Sequence, residues 1–227
     1  MHPEKNDHFT LTPLAYYKGP FKEKFGLPRQ AGMAALRGEV QLTEPFHDMV
    51  ACRGLENFSH IWLIWAFSEV PAGRTAHTTR PPRLKGNKRV GVFASRTPYR
   101  PNRLGLSAVR LEKIGPGPVL HVLGADLLDG TAVFDIKPYI PYADALPDAE
   151  GAYADAAPEA SEVLWPEGLK ERLDPEDAGL ISDILAQDPR PAYQHDPSRV
   201  YGFRFKNYEI KFRTDRAVEI LSIEEKA

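Results

Sequence analysis

The sequence predicts a mainly β protein, a closed or nearly closed β-barrel over residues 1–156 followed by a small α+β domain over 157–227. Three observations lead there. Short segments rich in β-branched and aromatic residues follow one another with turn signals between them and little room for crossover helices. Pro is 21 and Gly 17 of 227 residues, so the chain is cut often by turns. After Tyr142 the composition shifts to Ala, Asp, Glu and Pro, and beyond that stretch stand a single helical pattern and an alternating hairpin pattern.

Phe9–Tyr17 reads as a strand that ends at a Gly19-Pro20 turn, and Gly38–Leu42 as a short second strand. Phe58–Phe67 (FSHIWLIWAF) is apolar at nearly every position, which predicts a strand buried on both faces and makes His60 a satisfied core or interface histidine. Arg89–Ala94, Leu104–Ile114, Val119–Leu123 and Thr131–Ile136 continue the β pattern, with Gly115-Pro116-Gly117-Pro118 as a turn. Beyond the linker, Asp174 is placed to cap a helix with Pro175 at its first position, Glu176 and Asp177 at its positive end, and Leu180, Ile181, Ile184 and Leu185 on one face. Val200–Arg213 alternates with a break at Asn207, a hairpin, and Val218–Ile223 is a third strand.

Several classes are excluded by composition. Hydrophobic residues are 42% of the chain, too many for a disordered polymer, and one cysteine, Cys52, cannot staple a scaffold. The longest apolar run, Ile61–Phe67, falls far short of the ~20 residues of a membrane span. The polar start Met1–Asp7 leads us to expect a cytoplasmic protein. There is no P-loop, no GxGxxG fingerprint, no GxSxG elbow and no zinc-ligand spacing, so no metal is expected.

The formal charge of −2 hides strong segregation. Arg74–Lys113 holds eleven Lys/Arg against one acid, Ala143–Gln187 twelve acids against two bases, and Arg199–Arg216 six bases against two acids. Such basic stretches are either a polyanion surface or solvated loops. Within them the run Lys85–Lys88 serves either a nucleic acid or a neighbouring subunit.

Three segments stand out chemically. KEKFGLPRQ (Lys22–Gln30) is a loop with four charges and an amide. RVGVFASRTPYRPNRLGLSAVR (Arg89–Arg110) packs Arg96, Arg100 and Arg103 around Pro98, Pro101 and Asn102, and prolines stiffen a loop that can hold guanidinium groups for an anion. DLLDGTAVFDIKPYIPY (Asp126–Tyr142) offers Asp126, Asp129, Asp135, Lys137 and Tyr139. That is either an acid–base constellation or a hairpin whose acids pair with the arginine loop.

Together with GLENFSHIWLIWAF and the C-terminal QDPRPAYQ and YGFRFKNYEIKFR, these strings resemble the TrmO family, the TsaA-like or YaeB-like barrel proteins, over nearly the whole chain. The resemblance implies a TsaA-like barrel catalytic domain and an enzyme that uses S-adenosyl-L-methionine to methylate N6 of threonylcarbamoyladenosine at position 37 of threonine tRNA. It further implies a homodimer. By the same resemblance Pro28, Arg29, Gln30, Ser68, Glu69, Arg96, Leu106, Asp126, Leu127, Leu128, Asp129 and Gly130 bind the cofactor. Leu128 replaces the family's Val, and Arg103 stands where members more often carry Pro.

A urea-type N6 must lose its proton to attack a methyl group, and a positioned base is worth about 10² to 10⁴ in rate. Asp135, Lys137 and Tyr139 are the candidates for that step, and Arg100 and Asn102 for the threonine carboxylate. Arg103, Arg204, Lys206, Lys211 and Arg213 are expected on RNA phosphates. The competing reading is a non-catalytic module that binds RNA or S-adenosylmethionine.

Overall fold

The computed structural model describes residues 9–71, 73–84, 88–191, 194 and 196–226; the polar start and Lys85 of the basic run lie outside the described residues. The strands are β1 (Ala15–Lys18), β2 (Arg37–Leu42), β3 (His60–Ala66), β4 (Thr78–Thr79), β5 (Val90–Gly91), β6 (Leu104–Gly115), β7 (Val119–Leu123), β8 (Ala132–Pro138), β9 (Val163–Leu164), β10 (Tyr201–Phe205), β11 (Tyr208–Thr214) and β12 (Val218–Glu225); the helices are α1 (Pro141–Asp144) and α2 (Pro175–Ala186). Six strands close a barrel in the order β1-β2-β7-β6-β3-β8, with β8 returning to β1. Every pairing in it is antiparallel. Register shifts at Leu111/Lys113 and Ile64/Trp65 add the local bends that closure needs.

Alternation decides what fills the barrel. Ile61, Leu63 and Trp65 point in, as do Val109 and Leu111 of β6 and Leu120 and Val122 of β7. β3 is therefore not buried on both faces as its apolar run predicts. Trp62 and Ile64 lie half-buried on the outer wall, and His60 is exposed with its Nδ1 2.9 Å from Ser59 Oγ. Two further expectations are shortened. Only Ala15–Lys18 of the first predicted strand finds partners, in β2 and β8. Arg89–Ala94 yields the two-residue β5 and then a 3-10 turn at Val92–Ala94.

The second sheet runs β10-β11-β12-β9, with α2 packed on it. Asp174 caps α2 by accepting from Glu176 N at 2.9 Å, with Pro175 at the first position as expected. Phe203, Phe205, Ile210 and Phe212 form the second core with Ile181 and Leu185. That core is completed by Phe21, Ala34 and Leu36, which belong to the loop between β1 and β2. One barrel loop is thus held between both cores.

Candidate active site at the barrel mouth

Strand direction brings three loops to one end of the barrel: 19–36 between β1 and β2, 67–103 between β3 and β6, and 124–131 between β7 and β8. Most of the predicted cofactor residues lie on them. The loops are stitched together. Asp129 Oδ1 accepts from Gly19 N at 3.1 Å, Asp129 N donates to Phe21 O and Gly130 N to Tyr17 O at 2.8 Å each, and Gly32 N donates to Gly124 O at 2.8 Å. Gly124 (φ 85°) suits glycine, because its backbone is left-handed and a Cβ there would press on Gly32 Cα at 3.3 Å. Arg96 Nη1 hydrogen-bonds Gln30 Oε1, and Lys24 Nζ reaches the Glu69 carbonyl at 3.4 Å, tying in the third loop.

Inside this mouth runs a chain of side chains that sequence reasoning missed. Trp65 Nε1 donates to Ser107 Oγ at 3.0 Å, and Ser107 Oγ donates to Asp126 Oδ1 at 2.6 Å. Burial lifts the Asp126 carboxyl above the usual carboxylate range. The Ser107 hydrogen bond opposes that most, followed by backbone N–H groups and the Arg96 charge. Beside it the buried Tyr17 hydroxyl has no hydrogen-bond partner among the described residues. Burial raises its pKa well above the ordinary phenol value, helped by the charges of Asp126 and Asp129. Ser107 was detectable as a polar residue at an inward position of β6; Trp65 and Tyr17 gave no signal beyond their need for a partner.

The other predicted cofactor residues divide. Leu127 fills the barrel core and Leu128 packs on the second core, so the pair anchors the loop while Asp126, Asp129 and Gly130 present polar groups. Pro28 is buried beside a hollow of about 110 Å³ that Ile184, Gln187 and Pro189 close from the second domain. Arg29 Nη2 donates to the carbonyls of Arg190 (2.9 Å) and Asp188 (3.3 Å), fastening the loop to that domain. Ser68 and Glu69 are exposed at the end of β3. Leu106 is 59% exposed on the outer wall.

The predicted catalytic group is also outside the barrel. Across the wall Leu106, Ile64 and Asp135 stand in one row of the register. Asp135 Oδ1 accepts from Ile136 N at 2.9 Å, and its Oδ2 lies 4.0 Å from Lys137 Nζ. Tyr139 packs against Trp62 (ring centroids 5.5 Å apart) and His60 (6.3 Å). Within one chain the wall separates these groups from Asp126. Arg100 Nη1 donates to Ser95 O and Arg103 Nη1 to Val70 O, 2.7 Å each, while Asn102 is exposed. On the second domain Lys206 pairs with Asp177, Lys211 with Glu224 (3.9 Å) and Arg213 with Glu219 (2.6 Å); the Arg204 side chain has no carboxylate partner among the described residues. A wide depression of about 560 Å³ lined by Met49, Cys52, Leu111 and Ile114 lies at the opposite end of the barrel and holds none of the predicted site residues.

Among the described residues no group of three His, Cys, Asp or Glu is placed to hold a metal, and no helix is long and apolar enough to cross a membrane.

Comparison with known proteins assigns the chain to a family. The family model described as the tRNA-methyltransferase O N-terminal domain matches residues 16–145, and that of the TrmO C-terminal domain matches residues 158–226. The chain is 44% identical over 216 residues to a putative S-adenosylmethionine-dependent methyltransferase, RcsF, of Pseudomonas aeruginosa, covering 91% of this chain and 93% of that one. It is 39% identical over 230 residues to a tRNA (adenine(37)-N6)-methyltransferase of Escherichia coli, covering 95% and 98%. A crystal structure of TrmO from Pseudomonas aeruginosa superposes with a TM-score of 0.81 at 36% identity, covering 98% of this chain and 99% of that chain. Barrel, mouth and relatives together define an S-adenosylmethionine-dependent methyltransferase built on a closed β-barrel rather than a Rossmann sheet. The chain belongs to the tRNA-methyltransferase O (TrmO) family.

Proposed function

We propose that the protein methylates N6 of threonylcarbamoyladenosine at position 37 of threonine tRNA, as a cytoplasmic homodimer. In this reading residues 1–156 are the catalytic domain and 157–227 assist tRNA recognition. The observation that carries it is the convergence of three loops on one barrel mouth around Gln30, Arg96, Ser107 and Asp126.

That mouth suits S-adenosylmethionine. A partly buried carboxylate and an orphaned buried hydroxyl, Tyr17, face a ligand that carries a sulfonium, an amine, a carboxylate and ribose hydroxyls. Asp126 and Asp129 complement its cationic and hydroxyl groups, Arg96 and Gln30 its carboxylate, and Pro28, Arg29, Leu127 and Leu128 hold the loops in place. Bound there, S-adenosylmethionine would supply an activated methyl group, its sulfonium leaving as a neutral thioether when N6 takes that group.

The chain's own task is to position N6 and remove its proton. Asp135 accepts that proton, with Lys137 Nζ 4.0 Å from its Oδ2. Tyr139, packed on Trp62, gives the unstacked base an aromatic face. Arg100 and Asn102 bind the threonine carboxylate. Asp135 and Leu106 lie on the outer wall next to Ile64 and Trp62, an apolar face that a second copy would cover while bringing these groups to a mouth.

The test is labelled methyl transfer to tRNA with and without the threonylcarbamoyl group. Transfer only to the modified tRNA, lost in Asp135→Ala with the melting temperature held, is the expected result. Near-wild-type transfer by Asp135→Ala removes that residue from the mechanism. Stabilisation by S-adenosylmethionine without transfer to any tRNA would leave a donor-binding module.

A further inference from the structure

The two basic stretches of the chain differ in what neutralises them. On the C-terminal hairpin, Lys206, Lys211 and Arg213 each have a carboxylate within 4.0 Å, and Arg204 alone has none among the described residues. Along the 67–103 loop the situation is reversed: from Arg74 to Arg103 no described Lys or Arg has a carboxylate within 4.0 Å among the described residues.

These cations are nonetheless held in place. Arg83 donates to Ala156 O (2.5 Å), Arg89 to Thr78 Oγ1 (2.8 Å), and Arg74 lies 5.4 Å from the centre of the Tyr99 ring. All of these partners are neutral, so Arg74, Arg83 and Arg89 are positioned without a carboxylate, and each guanidinium keeps further N–H donors.

The small ribbon β4–β5 sharpens the point. Its last pair is Thr79 with Val90, so Arg80 and Arg89 both lie just beyond the paired residues, where Arg89 turns to Thr78 Oγ1. Phe93 is 80% exposed on the same loop and Tyr99 36% exposed. The acidic linker crosses here as well, through Tyr153 Oη on Ala94 O (2.8 Å), but its Asp155 turns back to its own Gly151 N.

We propose that this loop, rather than the C-terminal hairpin, is the main docking face for the phosphate backbone of the RNA substrate. Phe93 and Tyr99 stack on unpaired bases beside it. The inference rests on the tRNA reading above and adds where the strand lies. Phosphate oxygens supply the counter-charge that the fold does not, and exposed aromatic rings between cations are the usual platform for unstacked bases.

The experiment measures binding of bulk tRNA to the full chain across a salt series. Arg80→Gln with Lys88→Gln removes two charges that make no side-chain hydrogen bond or ion pair among the described residues, and Lys211→Gln with Arg213→Gln is the comparison. The loop pair is expected to flatten the logarithmic salt slope by about two units and weaken binding about tenfold near 0.1 M salt, with an unchanged melting temperature. The hairpin pair is expected to move the slope by less than one unit. Phe93→Ala should weaken binding without changing the slope. A wild-type slope in the loop pair, or the larger loss in the hairpin pair, overturns the proposal. S-adenosylmethionine-dependent methyl transfer to tRNA is followed in parallel. If transfer persists while the loop pair binds as wild type, only the docking face is wrong; if the wild-type chain neither binds nor methylates tRNA, the tRNA reading falls with it.

Discussion

Ser107 Oγ donates to Asp126 Oδ1 at 2.6 Å while accepting from the indole Nε1 of Trp65 at 3.0 Å, so one buried hydroxyl connects the barrel core to the carboxylate at its mouth. Two polar groups depend on it. Ser107→Ala leaves the Trp65 N–H unpaired and takes from Asp126 the interaction that most opposes its upward pKa shift. We expect a loss of about 1–3 kcal/mol in urea unfolding. S-adenosylmethionine affinity, measured calorimetrically against pH, should weaken, with its acid limb moved to higher pH. Ser107→Thr, which keeps the hydroxyl, should restore the limb. An unmoved limb in Ser107→Ala would reduce the residue to core packing.

Particular elements show how far the sequence could be read. β7 matches its predicted span, and the Asp174 cap and the hairpin break at Asn207 fall where expected, because each is written in adjacent residues. The β-rich run Phe9–Tyr17 is longer than β1 because β-propensity does not reveal where partners end. The outward Trp62 and Ile64 look identical in sequence to inward residues, so the half-exposed wall of β3 was invisible. At the site, Asp126–Gly130 and Gln30 were legible as strings. The bonds from Ser107 to Asp126 and from Trp65 to Ser107 join positions 19 and 42 residues apart, brought together by the pairing of β6 with β3 and β7.

Asp126 is held at a cost, and the sign of that cost is testable. Burial raises its folded-state pKa, so its contribution to stability is fully present below the ordinary carboxyl value of about 3.9 and is lost as pH rises through the folded value. Asp126→Asn keeps an oxygen for Ser107 and removes the charge. It should raise the melting temperature at pH 7, with the gain disappearing below about pH 4, and should sharply reduce S-adenosylmethionine binding. A variant less stable than wild type at pH 7 would mean that bound counter-charge, not burial, governs this carboxyl.

Gly105 lies opposite Trp65 in the β3–β6 register, and a Cβ there would come within 2.3 Å of the indole ring. The ring is a rigid core group that also carries the Ser107 bond, so it cannot swing aside without breaking the chain to Asp126. Gly105→Ala should cost about 1–3 kcal/mol by overpacking. Near-ultraviolet circular dichroism should register the displaced indole; an unchanged spectrum with unchanged stability would show that the wall yields instead.

Arg190 tests how the second domain serves the mouth. Its Nε and Nη2 grip Asp188 at 2.8 and 2.7 Å, and its Nη1 donates to Thr214 O at 3.0 Å. This holds the turn at Asp188 (φ 44°), where the carbonyls of 188 and 190 receive Arg29 from the 19–36 loop. A lysine keeps the charge but loses the fork, so Arg190→Lys should destabilise by about 1–3 kcal/mol and release Arg29. The 22–30 loop should then be cut faster by protease and bind S-adenosylmethionine several-fold more weakly, even at temperatures where the barrel stays folded. If stability falls while loop protection and affinity stay at wild-type level, the second domain supports its own core and not the mouth.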